Sequence, residues 1–174
     1  MTPLQRYQFD LQKQRIKADD KQLQAVQCTE RLFSELNAAS SNKGKLFPFL
    51  FKQKIVRGLY LWGGTGRGKT YLVDSFYECL PNNKKHRVHF HRFMLEIHQQ
   101  LENLPKSPNP LEIIAAQLAE KMNVLCLDEF HVHDIADAML LAGLLKEIFK
   151  KGITLVATSN ISIQDLYKNG LQRI

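Results

Sequence analysis

Short apolar runs alternate with amphipathic stretches through the last two thirds of the chain. Leu59-Tyr60-Leu61-Trp62 is apolar and aromatic, and reads as a buried strand. Residues 71–76 continue from it as a helix. Arg87-Val88-His89-Phe90-His91 reads as a second strand, residues 93–104 as a helix, 105–110 as a loop and 110–121 as another helix with Pro110 in its first turn. Val124-Leu125-Cys126-Leu127 is continuously apolar, the mark of a parallel strand covered on both faces. Asp134 is placed to cap a helix over residues 135–150, which Gly152 ends. Residues 153–157 give a fourth strand that delivers Thr158, Ser159 and Asn160, and Ser162 is placed to cap a short helix through Lys168.

The first 57 residues differ in character. Residues 1–20 are polar with scattered Leu, Tyr and Phe, and suit a short helix or an extended arm. Asp20 is placed to cap a helix over 22–36, with Leu23, Val26, Leu32, Phe33 and Leu36 as its apolar stripe. Residues 38–57 read as a linker. Its Leu46-to-Phe51 stretch, flanked by lysines, suits packing on its own domain or contact with a partner or anionic membrane. The pattern gives an N-terminal helical arm and linker (1–57) and an α/β core (58–174). That core is a parallel sheet with helices on both faces, three layers in all.

Composition narrows this little. The 174 residues suffice for one domain with a core, and 44% hydrophobic with 24% charged is ordinary for a globular protein. The net charge of +7 allows an acidic partner, but no aromatic-basic platform indicates nucleic acid. Cys28, Cys79 and Cys126 are widely spaced and suit a reducing compartment, with Cys126 a small buried side chain. No apolar run is long enough to span a bilayer and no signal-peptide core follows Met1, so a cytoplasmic location is expected.

The chemistry is concentrated at three strand ends. Gly63-Gly64-Thr65-Gly66-Arg67-Gly68-Lys69-Thr70 follows the first strand and opens a helix, the setting a phosphate-binding loop needs. Its glycines let amide N–H groups approach a phosphate, and the helix start favours negative charge. Lys69 is placed for the β- and γ-phosphates of ATP, and the Thr70 hydroxyl for Mg²⁺. Asp128 and Glu129 end the third strand. Asp128 is the expected Mg²⁺ ligand, directly or through water, and Glu129 the residue that activates the attacking water. Asn160, past the fourth strand, is placed between the γ-phosphate and that water. Gln22, ahead of the core, is the candidate for the adenine edge.

The stretches Gly58 to Gly64, His89-Phe90-His91-Arg92-Phe93-Met94, Leu125 to Phe130, Asp134 to Met139, Thr154 to Asn160 and Asp165 to Arg173 resemble the ZapE family. These are bacterial cell-division ATPases related to mitochondrial AFG-like ATPases. The resemblance covers residues from about 55 onward, and more loosely 19–22. It implies an AAA+-type P-loop NTPase fold and a cytoplasmic ATP-hydrolysing enzyme. It also implies association with the FtsZ division ring, with a homo-oligomer allowed. Arg173 matches an arginine that could act as a finger on a neighbouring subunit's γ-phosphate; the family carries another just beyond. Two departures stand out. His131-Val132-His133 replaces an aromatic, Val and Ser. With His89 and His91 it raises a metal site, against the plainer reading of surface or packed histidines. The family pattern also continues through a fifth strand and a lid. The chain is therefore expected to be truncated, with a bare sheet edge beside the phosphate-loop strand and turnover in question. Other readings remain: a small P-loop kinase, a helicase-loader-like DNA-associated ATPase, or a nucleotide-binding fragment without hydrolysis.

Overall fold

The computed structural model describes residues 1–41, 55–81, 83–132 and 134–166. The elements, in order, are helices α1 (Pro3–Gln12) and α2 (Asp20–Ser41), strand β1 (Leu59–Trp62), α3 (Lys69–Cys79) and β2 (Lys85–His89). They continue with α4 (Phe90–Asn103), α5 (Pro110–Lys121), β3 (Val124–Asp128), α6 (Ile135–Lys150) and β4 (Thr154–Ser159). The four strands form one sheet in the order β1-β4-β3-β2, and every pairing is parallel. β1 is therefore an edge strand among the described residues.

Alternation along β3 builds the three layers. Leu125 and Leu127 face one side, where they meet Phe93 and Ile97 of α4, Ile114 of α5, and Leu144 and Ile148 of α6. Val124 and Cys126 face the other, against Leu32 and Leu36 of α2 and Val73 and Phe76 of α3. Successive side chains of a strand point to opposite faces, so a continuously apolar strand has to be covered twice. α1 lies outside this arrangement and buries Tyr7 against Val26 and Leu72. The strand connections place β1, β3 and β4 so that their C-terminal ends open on one side of the sheet, with the three motif stretches there.

Several boundaries move from where the sequence pattern puts them. The second strand runs Lys85–His89, not 87–91, and helix begins at once with Phe90. Phe90, Phe93, Met94 and Ile97 are all buried, a helical spacing that captures the two residues read as strand. Phe90 stacks at 4.7 Å on Phe130, which fixes that turn to the core. The cap of α2 is Asp19, not Asp20: its Oδ1 accepts from the Gln22 N–H at 2.9 Å. α2 also continues to Ser41, four residues into the stretch read as linker. β4 holds Thr158 and Ser159 within the strand. The Asp134 cap on α6 is as expected, its Oδ1 accepting from Asp137 N–H at 2.8 Å. Ser162 Oγ accepts from Asp165 N–H at 3.1 Å and opens a turn to Leu166; the rest of that expected helix lies outside the described residues, as does the Leu46–Phe51 stretch.

Candidate active site

The loop after β1 is held by its own strand ladder. Gly63 N–H donates to the Ser159 carbonyl at 3.2 Å, so the loop starts from the end of β4 as well as from β1. Gly66 and Gly68 have φ of 76° and 80°, left-handed values that a side chain resists, and Gly68 is the N-cap of α3. Thr65 and Arg67 of the loop and Thr70 in the first turn of α3 are exposed. Lys69 turns back over it. Its Nζ donates to the carbonyls of Gly63 at 2.6 Å and Gly64 at 2.9 Å, and to Asn160 Oδ1 at 2.9 Å. The loop lysine and the residue past β4, 91 positions apart, thus share one hydrogen bond.

Asp128 ends β3 beside them, and its two oxygens have different partners. Oδ2 accepts from Arg87 Nε at 2.6 Å, and Oδ1 accepts from Thr158 Oγ1 at 3.3 Å. Arg87 reaches at the same time to Asp74 of α3 through its second nitrogen. Burial opposes the Arg87 charge, but the bonds to Asp128 and Asp74 outweigh it and raise the guanidinium pKa. Thr158 Oγ1 also accepts from Glu129 N–H at 3.2 Å. Glu129 has φ of 57°, uncommon outside glycine, and its side chain is 79% exposed. The turn carries that carboxylate away from the core and to 3.8 Å from His89 Nδ1, beyond hydrogen-bonding distance.

Gln22 comes to the other flank of the loop. Its Nε2 donates to the Arg67 carbonyl at 3.3 Å. It lines a cavity of about 280 Å³ with Ile16, Lys17, Ala18, Asp19, Gly68 and Tyr71. Tyr71 is fixed by a 2.8 Å hydrogen bond from its hydroxyl to Asp10 Oδ2, and Asp10, only 5% exposed, also pairs with Arg15 at 3.2 Å. Burial and the Asp10 carboxylate push the Tyr71 phenol well above its ordinary range. A larger cavity, about 580 Å³, lies remote from these motifs between the start of α5 and the end of α6, around Pro108, Leu111, Gly143 and Lys150.

Lys69, Asn160, the loop glycines and Gln22 are thus brought together, and Asp128 and Glu129 stand at the adjoining strand end. Arg173 and His133 lie outside the described residues. Among the described residues no three His, Cys, Asp or Glu side chains gather as metal ligands; His133, one of the four histidines of that reading, lies outside them. The donor types at the loop do suit Mg²⁺: a Thr70 hydroxyl and an Asp128 carboxylate are hard oxygen ligands. Arg87 and Asp74 are parts of the site that the sequence pattern did not single out, and Thr158 was read only as a strand-end neighbour of Asn160. A charge inside an otherwise half-buried strand was the one signal available for Arg87.

The profile of the AFG1-like ATPases matches residues 1–174. The chain is 48% identical over 185 aligned positions to the cell division protein ZapE of Escherichia coli K12, covering 99% of this chain and 49% of that protein. It spans about half the length of this curated relative. Among solved structures it resembles DnaI, with a TM-score of 0.60 at 20% identity over 90% of this chain and 78% of that one. It also resembles DnaA from Aquifex aeolicus, at 0.59 and 12% over 87% and 42%. At those identities the likeness is one of fold, and it agrees with the parallel three-layer architecture. With the family profile matched along the whole chain and close identity to a member, this chain belongs to the AFG1-like ATPase family.

Proposed function

We propose that this chain binds ATP with Mg²⁺ at the loop after β1 and carries the hydrolytic centre of a cell-division ATPase. The observation behind this reading is the meeting of Lys69 with Asn160 over the Gly63 and Gly64 carbonyls. It joins the phosphate-binding loop to the strand end that would face the γ-phosphate. The loop amides and the N-terminus of α3 hold the phosphates, and Lys69 turns from the carbonyls to the β- and γ-oxygens. Thr70 and Asp128 are the residues that would hold Mg²⁺, which supplies neutralising charge on the phosphates. Glu129, exposed and 3.8 Å from His89 Nδ1, takes the proton of the attacking water as its oxygen bonds to the γ-phosphorus and ADP leaves. Asn160 orients that water. Gln22 and the cavity it shares with Tyr71 receive the base.

The identity to a protein named for cell division supports a role in that process. The FtsZ ring as the polymer acted on and the cytoplasm as the place are proposed from the family resemblance of the sequence motifs alone. Among the described residues no helix is long and apolar enough to cross a membrane. Arg173 is proposed as a trans-acting finger in a homo-oligomer.

The test is ATP binding and turnover with Mg²⁺ for the parent, Lys69→Ala and Glu129→Gln. The lysine variant loses charge-assisted bonds and is expected to bind ATP about tenfold to a hundredfold more weakly. The glutamate variant is expected to keep binding within a few-fold while turnover falls by about 10² or more. Unimpaired turnover in Glu129→Gln would overturn its role as the base.

A further inference from the structure

Arg87 occupies a position at which its charge must matter to metal binding. Its Nε lies 2.6 Å from Asp128 Oδ2, and both side chains are largely buried, at 20% and 15% exposure. A carboxylate bonded this closely to a guanidinium is a poorer ligand for a divalent cation, because both cations seek the same oxygen lone pairs. The second partner of Arg87, Asp74, is 45% exposed and sits on α3 four residues after Thr70, one turn along the same helix face. Arg87 therefore bridges the two elements that bear the expected metal ligands. The two contacts use different nitrogens of one guanidinium, so the bond to the outer carboxylate can persist when the inner one is released.

We propose that Arg87 is the resident counter-cation of Asp128. It holds the carboxylate in place before the metal-nucleotide enters, and gives it up on entry while remaining tethered to Asp74. The exchange costs one guanidinium–carboxylate bond, not two. Oδ1 keeps its contact with Thr158 throughout, so the carboxylate does not lose its orientation. Arg87 is a positioning residue, and this assignment rests on the metal role proposed above for Asp128. A lysine at the same place would carry the charge but could not span both carboxylates from two nitrogens.

The probe is Mn²⁺ alone, without nucleotide, read as free ion by electron paramagnetic resonance. Arg87→Gln is expected to bind Mn²⁺ about tenfold more tightly than the parent, since a local positive charge is gone. Arg87→Lys is expected to fall between them. Arg92→Gln, which removes an exposed charge paired with Glu96, is expected to stay within twofold of the parent. Asp74→Asn is expected to weaken Mn²⁺ binding about threefold or more, because the guanidinium then rests on Asp128 alone. Mn²⁺ binding by folded Arg87→Gln that equals or falls below the parent's overturns the proposal, as does an equal gain in Arg92→Gln. If Arg87→Gln does not fold, an Asp74→Asn affinity equal to or above the parent's overturns it. Loss of Mg-ATP binding by the parent would instead count against the nucleotide site, and is read separately.

Discussion

At the scale of single residues, two positions show how close surroundings set chemistry. Cys126 is fully buried in β3, and burial pushes its thiol up to about 12 from an ordinary 9.0. A raised acid pKa favours the fold while the thiol stays neutral. Below pH 9 that contribution is complete, and it is lost as pH rises from 9 toward 12. Urea unfolding at pH 7.5 and 10.5 should therefore show a smaller alkaline loss of stability for Cys126→Ala than for the parent. Iodoacetamide at pH 8 should modify exposed Cys28 readily and Cys126 only after denaturation. Gly58 is the second case. A Cβ added there would lie 1.8 Å from the Leu155 carbonyl oxygen, in the backbone of the neighbouring strand. Backbone cannot swing aside as a side chain would. Gly58→Ala is expected to cost about 3 kcal/mol or more by thermal melting, at the upper end of overpacking effects.

At the scale of elements, the loop and its helix act as one piece. α3 starts at Lys69, so the first free amides of the helix and the loop amides face the same space. α6 begins with the Asp134 cap, right after the turn that carries Glu129. Asp134→Ala is expected to destabilise the protein by about 1 kcal/mol, the usual size of a lost N-cap, in chemical denaturation. Capping signals and apolar periodicity were legible here: the ends of α5 and α6 fall where Pro110, Asp134 and Gly152 put them. The start of α4 was not legible, because Phe90 and His91 suit a strand by propensity and only packing on Phe130 decides for helix.

At the scale of the whole molecule, the N-terminal helices are joined to the site and to the core. Asp10 of α1 accepts from Tyr71 of α3, and Leu32 and Leu36 of α2 fill the same core as Phe76. Asp10→Ala leaves the part-buried Tyr71 hydroxyl without that acceptor, a loss of about 1.5 kcal/mol, the low end for a hydrogen bond to a charged group. Hydrogen exchange should then rise in α1 and the first turns of α2, and ATP should bind more weakly through the cavity that Tyr71 and Gln22 line. Unchanged exchange in α1 would show that its docking does not depend on this bond.

What the sequence determined by itself was local. A glycine-rich loop between an apolar strand and a helix, an acidic pair closing an apolar strand, and the alternation of strands with helices each follow from rules that act within a few residues. They were enough to put a glycine-rich loop after one strand and Asp128 and Glu129 at the end of another, and to give a parallel sheet layered between helices. The tertiary structure decided what joins residues distant in the chain. The order β1-β4-β3-β2 brings Asn160 onto Lys69, and pairing of β2 with β3 sets Arg87 against Asp128. Docking of α2 against the loop carries Gln22 to Arg67. No local pattern encodes such contacts, because each depends on sheet register and on which faces the helices bury.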